Sequence, residues 1–287
     1  IHVGFAAVVV SSGLSVAVIM VSQWFETHRG TALGIALVGS SLGGMLVPKV
    51  ITALLPLHGW RESFMWMALI PLGLFFLALL LVRSPQRMGM TPWGHGSARS
   101  PAQQAAGQWP DLGYRQALRT PTFWALALVA VTTFWAIMSL SSHLILHMRD
   151  LGFSAQRAAD GMFLLFGLGM VGKFVFGFLA DICSPKKVFI SNVALMAMGA
   201  LILATQKPSL LWYGLVVMGL GWGGLYAVLQ LQIVDAFGLS SAGKILGTIS
   251  LMDAGTAGLG IWLSAVMFDH FGNYTVAFAV IATAVTI

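Results

Sequence analysis

Residues 169–188, GMVGKFVFGFLADICSPKKV, place a lysine in the middle of an otherwise oily, glycine-rich run. The apolar part reaches back to about residue 159, long enough to cross a bilayer as a helix, since about 20 residues cover the roughly 30 Å hydrocarbon core. Gly169, Lys173, Gly177 and Asp181 recur every four residues, so on a helix they form one stripe. Small residues let a neighbouring helix approach closely, and the stripe is therefore expected to face protein or a cavity.

The rest of the chain has the same character. It is 58% hydrophobic and 8% charged, with a mean hydropathy of +0.88, against about 25% charged residues in ordinary soluble domains. Apolar runs lie near 3–25, 31–55, 62–82, 121–146, 159–180, 188–205, 209–234, 245–268 and from 274 to the end. Lipid leaves no unpaired backbone group tolerable, and these runs are too long and too continuously apolar for barrel strands. The fold class is all-α, a polytopic membrane protein. The single cysteine, Cys183, excludes an intrachain disulfide.

If successive helices alternate in direction, one set of connections holds Arg29, Arg83, Arg87, Arg99, Arg115, Arg119, Lys186, Lys187 and Lys244, and the other Arg61, Arg149, Arg157 and Lys207. The richer side is expected to be cytoplasmic, so the net charge of +6 is topological and implies no nucleic-acid partner. From Arg83 to Thr120 the chain turns polar and is punctuated by Pro85, Pro92, Pro101 and Pro110. This predicts a cytoplasmic linker over 84–119 between two bundles, 1–83 and 120–287. Gly30, Gly34 and Gly59 recur as Gly243, Gly247 and Gly272, each 213 residues later. That offset suggests two six-helix halves in parallel repeat, with three helices expected before Ile1 and the last run incomplete.

GFLADICSPKK, residues 177–187, resembles the signature of the major facilitator superfamily, in which a glycine precedes an aspartate by four residues and basic residues follow a short turn. Gly177, Asp181, Lys186 and Lys187 fill the pattern. In that superfamily the motif sits between helices 2 and 3 and again between 8 and 9, so the resemblance numbers the span ending at Ala180 as the eighth of twelve. WFETHRGTALGIALVGSSLGG, residues 24–44, is similar to the helix 4 to helix 5 pattern of the monocarboxylate and oxalate/formate transporter branch, through Trp24, Phe25, Arg29, Gly30, Ala32, Gly34, Ala36 and Gly39. HLILHMRDLGFSAQRAA, residues 143–159, resembles the helix 7 exit of bacterial members. The resemblance implies a conformational latch built from Gly177, Asp181, Lys186, Lys187 and Arg29.

Lys173 lies eight residues from Asp181, about 12 Å deep at helical rise, and Asp253 lies nine residues past Lys244, about 13.5 Å deep. Three readings of Lys173 are open: a substrate or coupling group, a structural ion pair with Asp253, and snorkelling. Snorkelling reaches only about 6 Å. In the resembled branch a helix 8 cation meets the substrate carboxylate, and Lys173 occupies the matching place, with a point charge where arginine would give a fork. The oxalate carriers have a lysine where this chain has Asp253, which disfavours oxalate and suits a monoanion, a zwitterion or proton coupling.

Trp222, Tyr226 and Gln230 are spaced by four and form a candidate cavity wall, with Trp135, and less strongly Thr132, on another span. His143 is a candidate for controlling entry. His143 and His147 have no nearby Cys, Asp or Glu at ligand spacing, so no metal is expected, and no cofactor. Lys49, about 10 Å from the outer turn, reads as snorkelling.

The expectation is a secondary active transporter working by alternating access. It would move a small organic anion, a monocarboxylate above all, with proton symport or anion exchange, across a cell membrane, the bacterial inner membrane in particular. The partners are the anion, a proton or counter-anion, and the bilayer; no obligatory protein partner is inferred. The alternatives are an exporter of drugs or amphiphiles and a nontransporting membrane sensor. An enzyme would want clustered His, Asp or Glu near an interface, and the chain reads as no enzyme.

Overall fold

The computed structural model describes residues 20–94, 112–238 and 241–286; most of the predicted first run therefore lies outside the described residues. The long helices, in chain order, are α1 (Arg29–Ala36), α2 (Val38–Leu81), α3 (Pro121–Asp150), α4 (Ala155–Ile182), α5 (Pro185–Ala204), α6 (Pro208–Phe237), α7 (Ala242–Phe271) and α8 (Thr275–Thr286). Among the described residues, six spans are long and apolar enough to cross a membrane, with α8 a shorter apolar helix.

Local chemistry fixes many of the ends. Thr120 and Ser154 cap α3 and α4, their hydroxyls accepting from the amides of Phe123 and Arg157 at 3.2 Å each. Proline begins α3, α5 and α6, where its missing amide hydrogen costs nothing. Gly272 ends α7 in the left-handed region.

The runs predicted over 31–55 and 62–82 are two helices that meet at Gly59 within α2, whose φ of 69° and ψ of 174° are not helical. Glycine has no Cβ to oppose that conformation, so a single residue redirects the chain. One difference from the sequence expectation is a turn at Leu37, which divides α1 from α2.

The described ends of the predicted linker are tied down despite their polar, proline-rich composition. Trp93 donates its amide to the Trp24 carbonyl at 2.7 Å and accepts from the Glu26 amide at 2.9 Å. The Tyr114 and Thr248 hydroxyls share a 2.8 Å hydrogen bond. Residues 95–111 lie outside the described part.

Helix α6 has the largest buried share of any described span and packs against α4 and α5; α7 packs on α3, and α8 on α5 and α3. The pair α1–α2 lies along α4. Gly30 and Gly34 meet Gly177, Gly44 meets Phe166, Met45 meets Gly167, and Lys49 meets Asp160. Residue numbers rise on one helix as they fall on the other, so the two run antiparallel. From Asp160 to Asp181 the seam extends about 30 Å at helical rise, the full depth of a hydrocarbon core.

The buried residues of α2 are Ser41 and Ser63, whereas its leucines, phenylalanines and tryptophans are largely exposed. Close approach along the seam depends on missing side chains. A Cβ on Gly177 would lie 2.6 Å from the Gly30 carbonyl oxygen, a backbone atom that cannot turn aside. Gly177→Ala is therefore expected to lower the thermal unfolding midpoint in detergent by several degrees. Gly247→Ala, whose Cβ meets nothing within 4 Å, is expected to leave it within about a degree.

Candidate functional site

Lys173 projects from α4 into the seam and is 3% exposed. Its ammonium donates to the hydroxyls of Ser40 and Ser41 on α2, at 2.6 Å each. It also lies 5.1 Å from the centre of the Trp222 ring on α6, within reach of a cation–π attraction. Phe166 meets the same indole edge-on at 5.2 Å, and Gly169, one turn from Lys173, leaves room for it. Three helices thus converge on one cation. The lysine does not snorkel.

Lys173 does not pair with Asp253 either. Asp253, on α7 and 2% exposed, accepts from the Tyr226 hydroxyl at 3.0 Å, and its second oxygen is buried with no hydrogen-bond partner. No carboxylate of the described residues lies within 4.0 Å of the Lys173 ammonium. Similar depth along two helices does not bring two groups together when their helices turn them toward different neighbours.

The predicted stripe on α6 is divided between these two places. Trp222 faces the lysine, and Tyr226 one turn on faces Asp253, with the Phe134 ring 5.8 Å from that of Tyr226. Gln230 is 2% exposed, its side-chain oxygen unpaired. Trp135 packs flush on Gly260 of α7, with its indole nitrogen buried and unpartnered. Thr132 returns its hydroxyl hydrogen to its own helix, at the Leu128 carbonyl.

His143 stands apart from the lysine. One ring nitrogen lies 3.1 Å from the Ile261 carbonyl oxygen and the other 3.2 Å from the Tyr274 hydroxyl. The neutral ring satisfies both, donating to the carbonyl and accepting from the phenol. His147 packs edge-on against Tyr274 and Phe278. The two histidines cross-link α3 to α7 and α8.

At one end of the seam, Asp181 does the work of a helix cap. Its carboxylate accepts from the amides of Gly30 and Thr31 at 2.9 and 2.8 Å and from the Thr31 hydroxyl at 2.7 Å. These are first-turn donors of α1, whose own N-cap residue, His28, supplies no side-chain bond. A carboxylate there satisfies orphan amides and meets the positive end of the helix dipole. Of the predicted latch, Gly177 and Asp181 meet α1 directly. Arg29 donates to the Phe25 carbonyl at 2.7 Å and lies within electrostatic reach of Asp235. Lys186 and Lys187 are exposed.

At the other end, Lys49 pairs with Asp160 at 3.3 Å and lies over the Phe163 ring, 4.2 Å from its centre. This replaces the snorkelling expected from sequence. Ser40, Ser41, Thr31 and Asp160 were not among the predicted contacts. The available signal for the serines was a polar pair inside an otherwise apolar helix.

The model of the Major Facilitator Superfamily matches residues 3–174 and 159–287. The chain belongs to the Major Facilitator Superfamily. As a superfamily member with six apolar spans among its described residues, it is a multi-pass helical membrane protein. Its relatives include the oxalate:formate antiporter of Oxalobacter formigenes, 26% identical over 92% of this chain and 61% of its own length. Monocarboxylate transporter 13 of Bos taurus is 26% identical over 90% of this chain and 58% of its own. The MFS-type transporter YcxA of Bacillus subtilis (strain 168) is 24% identical over 91% and 62%. The chain thus spans about six tenths of the length of these curated relatives.

The Asp181 cap makes a direct forecast. Asp181→Asn removes the charge from three hydrogen bonds, and charged bonds exceed neutral ones by about 1 kcal/mol. Amide hydrogen exchange at Gly30 and Thr31 is expected to quicken about ten-fold, with little change on α5.

Proposed function

We propose that the protein is a secondary active transporter that moves a small organic anion, a monocarboxylate, by alternating access. The observation that carries this reading is the state of Lys173: a buried ammonium held by two neutral hydroxyls and an indole face, with no carboxylate among the described residues close enough to cancel its charge. Leaving a charge unbalanced in a low-dielectric interior is costly. A monoanion drawn to the lysine removes that cost. A dianion finds no second cation, since Lys173 is the one buried lysine or arginine among the described residues, and Asp253 would repel it.

The position of Lys173 supports alternating access. The lysine belongs to α4 and its hydrogen-bond partners to α2, so it sits where the proposed halves, 1–83 and 120–287, meet across the proposed cytoplasmic linker 84–119. Contacts above and below it, at Lys49–Asp160 and at Asp181–Gly30, are of kinds that can break singly. In this reading Asp181 closes the cytoplasmic side, in a cell membrane such as the bacterial inner membrane. Asp253, with one unpaired oxygen, is the group proposed to take up the coupling proton, its partner Tyr226 lying one helical turn from Trp222; simple anion exchange would not need it. No catalysed reaction is proposed.

The test is uptake of labelled formate, lactate, pyruvate, benzoate and oxalate by the full-length protein in proteoliposomes, with and without a pH gradient or internal anion. Saturable uptake of one or more monocarboxylates in preference to oxalate is expected. Lys173→Gln should lower kcat/KM for that substrate at least 100-fold while leaving the protein monodisperse and helical; retained uptake would overturn the assignment. Asp253→Asn is expected to abolish stimulation by the pH gradient but to leave exchange against internal anion within about three-fold of the parent.

A further inference from the structure

Ser40 and Ser41 both accept from Lys173, yet their own hydrogens are differently placed. The Ser40 hydroxyl donates to the Leu37 carbonyl at 2.9 Å. Ser41 is 0% exposed, and no acceptor among the described residues takes its hydrogen. The carbonyl one turn back, a usual recipient for a helical serine, is Leu37, to which Ser40 already donates. Accepting from an ammonium polarises a hydroxyl and makes it a stronger donor. A polarised, buried hydroxyl with an uncommitted hydrogen therefore sits 2.6 Å from the one buried ammonium among the described residues.

Resting on the carboxylate reading above, we infer that Ser41 is the second donor to the substrate, its O–H binding one carboxylate oxygen while Lys173 donates its remaining N–H to the other. The ammonium has three hydrogens, of which the serines take two. The third is available to an anion. One N–H and one O–H side by side match the two oxygens of a single carboxylate, and the rest of the ligand falls toward the Trp222 ring. The favoured substrate class is a monocarboxylate whose body is small and flat, or apolar enough to lie against an indole. Ser40, its hydrogen committed, tunes the lysine without touching the ligand.

The alternative role for Ser41, merely solvating the lysine while the site is empty, predicts the opposite sign. Removing a competitor for the ammonium would leave KM unchanged or lower it. The measurement is KM and kcat for the best monocarboxylate of the panel, using full-length parent protein, Ser41→Ala, Ser41→Cys and Ser40→Ala in proteoliposomes, with helicity and dispersity checked for each. Ser41→Ala is expected to raise KM about ten-fold with kcat changed less than three-fold. Ser41→Cys, a similar shape with a weaker donor, should fall between, and keeps the question open to measurement if the alanine variant does not fold. Ser40→Ala, which removes only a competitor for the ammonium, is expected to leave KM unchanged or lower it, the opposite direction from Ser41→Ala. An unchanged or lowered KM in folded Ser41→Ala or Ser41→Cys overturns the inference while leaving the transport reading intact. Absence of monocarboxylate uptake by the parent overturns both.

Discussion

A single buried ammonium group organises the interior of this molecule. Lys173 is kept there by two hydroxyls at hydrogen-bond distance and an aromatic face, which answer its need for acceptors without cancelling its charge. Serine and tryptophan stabilise the cation while leaving its field uncompensated, which aspartate in the same position would not do. The surrounding features follow from that requirement. Helix α2 turns Ser41 inward, α4 carries glycines on the lysine's own stripe so that α1 can come close, and α6 presents an indole to the same point.

The seam between α1–α2 and α4 is built from different chemistry at its two ends. Near Asp181 it is held by backbone amides of a helix start, a contact with fixed direction and little side-chain freedom. Near Asp160 it is held by a part-exposed lysine that also rests on a phenyl ring. The first should be insensitive to salt and the second screened by it, since exposed ion pairs are worth little in water. The lysine is nearer the rigid end, about 12 Å from Asp181 and about 20 Å from Asp160 at helical rise.

Much of this was readable in the residues. The four-residue stripe from Gly169 to Asp181 correctly announced a protein-facing side, because helical spacing alone determines which residues share a face. The starts of α3 to α6 and the end of α7 follow from Thr120, Ser154, the prolines and Gly272, all local signals. What escaped was azimuth and partnership. Lys173 and Asp253 have similar depth, a quantity that adds along one helix, but depth says nothing about rotation, and Tyr226 rather than Lys173 receives Asp253. His143 looked available on its own helix; its engagement by Tyr274 and Ile261 depends on where two distant segments lie. Ser41 was hidden for the same reason, since a serine in an apolar helix usually bonds its own backbone and needs no partner elsewhere.

The joint at Leu37, where the backbone stays in the right-handed helical region, links two different parts of the seam. On one side of it lies an eight-residue helix gripped by Asp181; on the other lie the serines that hold the lysine. Ser40 bridges the joint, donating to the Leu37 carbonyl while accepting from Lys173. A single eight-residue helix therefore joins the Asp181 cap to an acceptor of the buried ammonium.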